Sequence, residues 1–254
     1  MLFSKISGEG FPFLLIHGLF GMNDNLAMIA RPLAEQFEVH CLDLRNHGRS
    51  PRAESMGFAE MADDLLAYMD ANGIERAHVL GHSLGGKVAM QLALNHPQRL
   101  DKVLVADISP VDYLTGDHDA IFKAIKAVDL SVLKSRRDAE LVLSEYLDDV
   151  LVKAFILKNL YRSESGQFDW RINVEVLQRC YSGMRSGIDS ERCFGGEVLF
   201  LKGGHSPYIK DEHWPVIIRL FPNAELEVIP AAGHWLHAER TEEFNRAVLN
   251  FVLE

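Results

Sequence analysis

The chain predicts an α/β fold: a mostly parallel, doubly wound sheet with a helical cap inserted between two of its strands. Three observations carry that expectation. Short apolar runs alternate with segments whose apolar residues recur at helical spacing, as in strands joined by crossover helices. One run breaks at Leu80-Gly81-His82-Ser83-Leu84-Gly85-Gly86, where a serine sits between glycines at a strand-to-helix junction. Residues 111–195 carry helical patterns without a convincing strand, which marks them as the inserted cap, with 1–110 and 196–254 forming the core.

Each element follows from its residues. Phe11-Pro-Phe-Leu-Leu-Ile16 is a continuous apolar run suited to a central strand buried on both faces, and it stops at His17-Gly18-Leu19-Phe20-Gly21. Asn23 or Asp24 caps a helix reaching to about Gln36, with Leu26, Ile29, Ala30 and Leu33 on one face. Glu38–Asp43 is the next strand, followed by the turn-rich loop Leu44–Pro51. Phe58–Met69 is a helix with Met61, Leu65, Leu66 and Met69 at helical spacing, closed by Asn72-Gly73. Ala77–Leu80 is a buried strand, Lys87–Leu94 a helix ended by Asn95-His96-Pro97, and Lys102–Ile108 another strand. In the insertion, Ile121, Phe122, Ile125 and Val128 form one stripe, and Trp170, Val174, Leu177 and Tyr181 another. Val198–Leu201 and Ala224–Ile229 are the last strands, separated by a helix near Glu212–Leu220, and Thr241–Leu253 is an amphipathic final helix.

Composition narrows the class. The 254 residues suffice for one large domain with an insertion; 48% are hydrophobic and 24% charged, a globular balance. A net charge of −10 without any Lys/Arg-rich block argues against nucleic acid or anionic membranes as partners. Three irregularly spaced cysteines, Cys41, Cys180 and Cys193, point to a reducing compartment. Met1–Gly10 lacks a signal-peptide pattern and no uncharged apolar run is long enough to span a bilayer, so a soluble cytoplasmic protein is expected. Its oligomeric state is left between monomer and weak dimer.

The Gly81–Gly85 turn has the form of a nucleophile elbow, which needs small residues two before and two after the serine. A serine hydroxyl needs a base. Among eleven histidines, His234 in Ala231-Ala232-Gly233-His234-Trp235 is best placed, just past the last strand, where a glycine lets the loop fold back over the sheet edge. His237 lies three residues on, but no third ligand is spaced to make a metal site with it. An oxyanion hole requires two backbone N–H groups; Leu84, after the serine, and Leu19, after His17-Gly18, are the expected donors.

HGLFG, DLRNHGRS, GHSLGG and AGHW, in that order, resemble the α/β-hydrolase family. DLRNHGRSP, ADISPVDY and GGHSPYI together resemble its YbfF-type esterase branch, over nearly the whole chain. The resemblance implies a serine hydrolase acting on small-molecule esters or thioesters of small or medium acyl groups, without cofactor or metal. The acid departs from the commonest family pattern, an aspartate in a G-x-x-D sequence after the penultimate strand. Here Ser206 of Gly203-Gly204-His205-Ser206 occupies that place. Some members carry the acid on the strand before the cap, so Asp107 is the expected substitute, with Asp211 the weaker candidate and Ser206 a helper that orients His234. As a purely structural residue, Asp107 would cap the Ser109-Pro110 turn.

Asp43 and Arg45 are expected to form an ion pair bracing the loop beneath the site. His47 stands where a glycine is usual in the family's D-x-R-G-x-G-x-S loop, and with Asn46 it is a candidate for the pocket floor. Tyr113, Phe155, Trp170, Tyr181 and Tyr208 are further pocket candidates, each weighed against a role in the core. A carbon–carbon bond hydrolase or MenH-like lyase would use the same three residue types with convergent cap arginines, for which Arg136, Arg137 and Arg171 are available though expected at the surface. The fold also hosts cofactor-free haloperoxidases or perhydrolases and non-catalytic binding proteins, whereas Ser83 excludes its aspartate-nucleophile enzymes.

Overall fold

A computed structural model describes residues 1–114 and 118–254 of the chain. The core is a seven-stranded sheet built from β1 (Ser4–Ser7), β2 (Phe11–Ile16), β3 (Phe37–Leu42), β4 (Ala77–His82) and β5 (Leu100–Ala106). After a long excursion, the strands running from Glu197 to Gly203 and from Ala224 to Ile229 complete it. In spatial order the sheet reads β1-β3-β2-β4-β5, then those two, all parallel except β1, which pairs antiparallel with β3. β1 is a short polar edge strand, exposed along most of its length, so no apolar run announces it in the sequence.

Side chains alternate across the sheet. Leu14, Ile16, Val79, Val103 and Val105 enter one core, while Phe13, Leu15, Leu80, Leu104 and Ala106 enter the other. The first core lies under α2 (Phe58–Ala71) and α3 (Leu84–Asn95). The second lies under α1 (Ala27–Leu33) and the C-terminal helix Thr241–Leu253. Both faces are thus covered, as a parallel sheet requires. α1 is shorter than its sequence pattern. A 3₁₀ turn, Asn23–Leu26, precedes it, and Glu35 and Gln36 continue it with tighter bonds to Pro32 and Leu33.

Chain order reverses beside β2: β3 lies to one side of it, β4 and β5 to the other. A crevice opens at the carboxyl ends of strands at such a switch point. The HGLFG loop after β2 and the Ser83 turn after β4 both end there.

Between β5 and Glu197 no described residue joins the main sheet. This stretch holds α4 (Asp119–Ala127), α5 (Arg136–Ser144), α6 (Val150–Leu157) and, after a hairpin, α7 (Val174–Met184). Ser135 and Asp138 form a reciprocal capping box at the start of α5, and Asp149 caps α6. The hairpin, β6 (Leu160–Arg162) with β7 (Phe168–Trp170), corrects the expectation of an insertion without strands. Three-residue strands are too short to display alternation, and the turn depends on Gly166 at φ +82°. Residues 115–117 of the expected cap lie outside the described residues. The chain then closes with β8 (Glu197–Gly203), α8 (Trp214–Leu220), β9 (Ala224–Ile229), α9 (Leu236–Glu239) and α10 (Thr241–Leu253).

Candidate active site

Ser83 sits between β4 and α3 at φ +53°, ψ −117°, a conformation that L-residues hold only when the surroundings impose it. The flanking glycines show what imposes it. A Cβ on Gly81 would meet the Gly85 carbonyl oxygen at 2.1 Å, and one on Gly85 would meet the Ile16 carbonyl oxygen at 2.4 Å. Backbone cannot yield as a side chain can, so Gly85→Ala is expected to destabilise by about 3 kcal/mol or more, read as a lowered denaturant midpoint. Gly183, on α7 with nothing within 4 Å of an added Cβ, is the control. Its replacement by alanine should stabilise by up to about 1 kcal/mol. Equal effects at the two positions would contradict this account of the turn.

His234 follows β9 and reaches back over the turn, its Nε2 lying 3.1 Å from Ser83 Oγ. Its Nδ1 lies 2.7 Å from Oδ2 of Asp107, the first residue after β5. Asp107 is fully buried and holds φ +53°. Its Oδ1 accepts from Gly203 N–H at 3.0 Å, and its Oδ2 also accepts from the Ser206 hydroxyl. Ser206 therefore contacts the carboxylate, and acts on His234 only through Asp107. Asp211 is exposed at the start of a 3₁₀ turn (Asp211–His213), away from the hydrogen bonds that hold the His234 ring. With Nδ1–H directed at the carboxylate, His234 presents an unprotonated Nε2 to the serine, as a general base requires.

Two further rings fix His234. Tyr208 stacks on it at 4.1 Å between centroids, and His82, beside the serine, donates from Nε2 to the His234 carbonyl at 2.8 Å. His82 carries no signal of this role in the sequence, because the bond spans chain positions far apart. Neither Leu19 N–H nor Leu84 N–H is spent on an acceptor among the described residues, and both residues line a cavity with Ser83.

The HGLFG loop is held from behind by neutral imidazoles. His47 is fully buried; its Nε2 accepts from Phe20 N–H at 3.2 Å and its Nδ1 donates to the Arg45 carbonyl at 2.9 Å. His17 repeats the pattern, accepting from Leu44 N–H at 3.0 Å and donating to the Gly18 carbonyl at 2.8 Å. His47 thus braces the loop and lines neither cavity, correcting its expected place on the pocket floor. Asn159, from the insertion, donates to the Phe20 carbonyl at 2.8 Å. Asp43 and Arg45 do not pair with each other. Asp43 accepts from Asn23 and Arg49 backbone N–H groups, whereas Arg45 forms a two-pronged bond to Asp64.

Burial lowers the pKa of His17 from 6.5 to about 4 and that of His47 to about 3, the latter with a contribution from His17. Both are neutral when folded, and a proton on either Nε2 would face a backbone N–H. Below pH 6.5 the unfolded chain binds more protons, so stability falls with falling pH down to the folded-state values and then levels. Each imidazole contributes about 1.4 kcal/mol per pH unit within its window. Denaturant midpoints measured from pH 7 to 4 should trace this loss, and His47→Gln should make it shallower by the His47 share. A midpoint constant over that range would contradict it.

Two cavities meet at Ser83. One of about 240 Å³ runs past His234 between Leu26, Ile121, Val152, Phe155 and Trp235. The other, about 60 Å³, is walled by Leu19, Leu84, Lys87, Tyr113, Tyr181 and Met184. Phe155, Tyr113, Tyr181 and Tyr208 line one or both of these cavities. Trp170 is not: it is buried opposite Leu160 in the hairpin and belongs to the core. Trp235, His118 and Arg185 line the cavities without a signal in the sequence that marks them for it. Arg136, Arg137 and Arg171 line neither.

Parallel sheet, strained serine turn and histidine after the last strand define a hydrolase architecture, and known proteins of similar sequence and structure agree. A family model for the α/β hydrolase fold matches residues 12–117. The chain belongs to the α/β-hydrolase family, within its YbfF-type esterase branch, and is a hydrolytic enzyme. Esterase YbfF of Escherichia coli is 39% identical over 241 residues, covering 95% of this chain and 92% of the relative. An sn-1-specific diacylglycerol lipase of Xenopus laevis, ABHD11, is 38% identical over 96% of this chain and 80% of its own. The solved structure of a marine microorganism esterase superposes with a TM-score of 0.96 at 40% identity, covering 98% of each chain. Among the described residues no helix is long and apolar enough to cross a membrane.

Proposed function

We propose that this protein is a carboxylesterase or thioesterase acting on small-molecule substrates with small or medium acyl groups. Ser83 is the nucleophile, His234 the base and Asp107 the acid. The observation that carries the reading is the unbroken line of hydrogen bonds from Ser83 Oγ through His234 to the buried Asp107 carboxylate, with two cavities meeting at the serine. Residues 111–195 act as the cap, and the chemistry needs no cofactor.

As Oγ attacks the carbonyl carbon, His234 Nε2 takes its proton, and the Leu19 and Leu84 N–H groups hold the oxyanion. The bond to the leaving oxygen or sulfur breaks as His234 returns the proton to it, leaving an acyl-enzyme. Water then attacks, gives a proton to His234, and releases the acid; Oγ recovers its proton. Asp107 fixes the imidazole tautomer and stabilises the imidazolium, while Ser206 donates to Asp107 and keeps that carboxylate in line.

Covalent labelling by a fluorophosphonate probe, absent in Ser83→Ala, tests the reading. An unlabelled wild-type protein would refute it. p-Nitrophenyl esters and acyl-CoA thioesters of graded length then separate esterase from thioesterase.

One observation favours a second reading. Arg185 lines the smaller cavity, and its Nε is buried without a partner among the described residues. That placement suits a carbon–carbon bond hydrolase of carboxylate-bearing substrates. Turnover of a vinylogous β-diketone acid, with p-nitrophenyl esters left intact, would select it.

A further inference from the structure

Lys87 lies one helical turn beyond Ser83 on α3, is 1% exposed, and takes no part in the chemistry above. Its Nζ donates to the carbonyls of Val111 at 3.0 Å, Arg185 at 3.3 Å and Ser186, and lies 4.9 Å from the Tyr113 ring centre and 5.4 Å from that of Phe58. Among the described residues it has no carboxylate at ion-pair distance. Three protons meet three carbonyls, so the ammonium is fully used.

The positions of those carbonyls matter. Val111 lies on the neck by which the chain leaves β5, and Arg185 and Ser186 lie on the neck by which it returns from α7. The two necks also bind each other: Tyr113 N–H donates to the Arg185 carbonyl at 2.9 Å and Ile188 N–H to the Pro110 carbonyl at 3.1 Å. Gly187 N–H donates to Asp112 Oδ1 at 2.6 Å. One cation therefore fastens both necks to the helix that carries the nucleophile, and it walls the smaller cavity while doing so.

We propose that Lys87 is a positioning residue that holds both necks of the insertion to the Ser83 helix and thereby fixes the width of the smaller cavity. This rests on the Ser83 reading above. The smaller cavity includes Ser83, Leu19 and Leu84 but not His234. A leaving group must lie beside His234 to receive its proton, so the smaller cavity takes the acyl group. The width Lys87 sets is then a limit on acyl length.

The clasp depends on charge. A buried ammonium without a counter-ion is disfavoured, and desolvation lowers the Lys87 pKa from 10.5 to about 7, against the pull of Asp112. The neutral amine keeps two N–H groups and turns a lone pair on the third carbonyl. The groups facing it are Asp112 and the Tyr113 phenol on the outgoing neck and Arg185 on the returning one. His118, Tyr181 and Tyr208 share the cavity. α3 carries no other ionisable side chain, and from α2 the Phe58 ring packs against the ammonium.

The test is the ratio of kcat/KM for p-nitrophenyl acetate to that for p-nitrophenyl octanoate, from pH 6 to 9, in the wild type and Lys87→Met. Both esters share a leaving group and the same proposed catalytic residues, so the ratio isolates acyl fit. In the wild type it should fall about tenfold as pH rises through the Lys87 range, the scale of discrimination a few methylenes give. In Lys87→Met it should be low at every pH. A wild-type ratio constant with pH, or a variant ratio equal to the wild type's at pH 6, overturns the proposal. Hydrogen exchange at the Tyr113 and Ile188 amides of the wild type gives a second reading that needs neither a folded variant nor turnover. Protection lost above pH 7 upholds the clasp and unchanged protection overturns it, even if no ester is hydrolysed and the esterase reading itself fails.

Discussion

Ser83→Ala is expected to lower kcat for ester hydrolysis by roughly 10⁶-fold, the scale seen when a serine nucleophile is removed from an intact site. KM should change little, because both cavities, the proposed oxyanion donors and the helical insertion remain. Some acceleration over water should persist from the Leu19 and Leu84 N–H groups. Alanine has no more freedom than serine at φ +53°, so the turn keeps its strain and the folded structure should be unaltered by circular dichroism. Single-turnover measurements with p-nitrophenyl acetate distinguish the outcomes: the wild type gives a burst of p-nitrophenol and the variant none. A variant retaining a tenth of the wild-type rate would remove Ser83 from the mechanism.

Asp107→Asn should cost about 10⁴-fold in kcat with the geometry preserved, the loss expected when a triad histidine takes the wrong tautomer. The asparagine carbonyl can still accept from Gly203 N–H, in place of Oδ1. Its amide group then faces His234 Nδ1 as a donor. Nδ1 becomes the acceptor, the ring proton moves to Nε2, and Nε2 can no longer take the proton of Ser83. Asp211→Asn should leave turnover unchanged, because that side chain is exposed and takes no part in holding the imidazole. If Asp211→Asn abolishes activity and Asp107→Asn does not, the acid has been assigned to the wrong strand. Ser206→Ala should fall between the two, since it removes one of the donors to the carboxylate and leaves the charge in place.

Much of this arrangement is legible in the sequence because it is local. The two-sided apolar runs of β2, β4 and β5 and the helical stripes of α2 and α10 announce themselves, since burial on both faces or on one stripe demands particular residues at fixed spacing. The Gly81–Gly85 spacing is readable for the same reason: two backbone approaches leave no room for a Cβ. The features that escape a sequence reading depend on partners distant in the chain. His47 could be a floor or a brace, and only the Phe20 N–H at its Nε2 decides between them. Asp43 and Arg45 are near neighbours of opposite charge, yet each has a better partner elsewhere, two backbone amides for one and Asp64 for the other. β1 and the β6–β7 hairpin are too short and too polar for periodicity to register. Trp170 illustrates the limit for aromatic side chains, because size and apolarity suit a core and a substrate cavity equally.

The placement of Asp107 just after β5 has a consequence for how the enzyme comes into being. The segments up to residue 110 already contain the proposed nucleophile, both proposed oxyanion donors and the proposed acid, whereas the proposed base, His234, follows β9. On that assignment, the polypeptide emerging during synthesis carries the Ser83 hydroxyl before the group proposed to activate it. On the proposed triad, hydrolytic competence waits for the segment after β9, which carries His234 over the turn. On the same assignment, a product truncated before residue 234 lacks the proposed base, and the proposed nucleophile has no partner to take its proton.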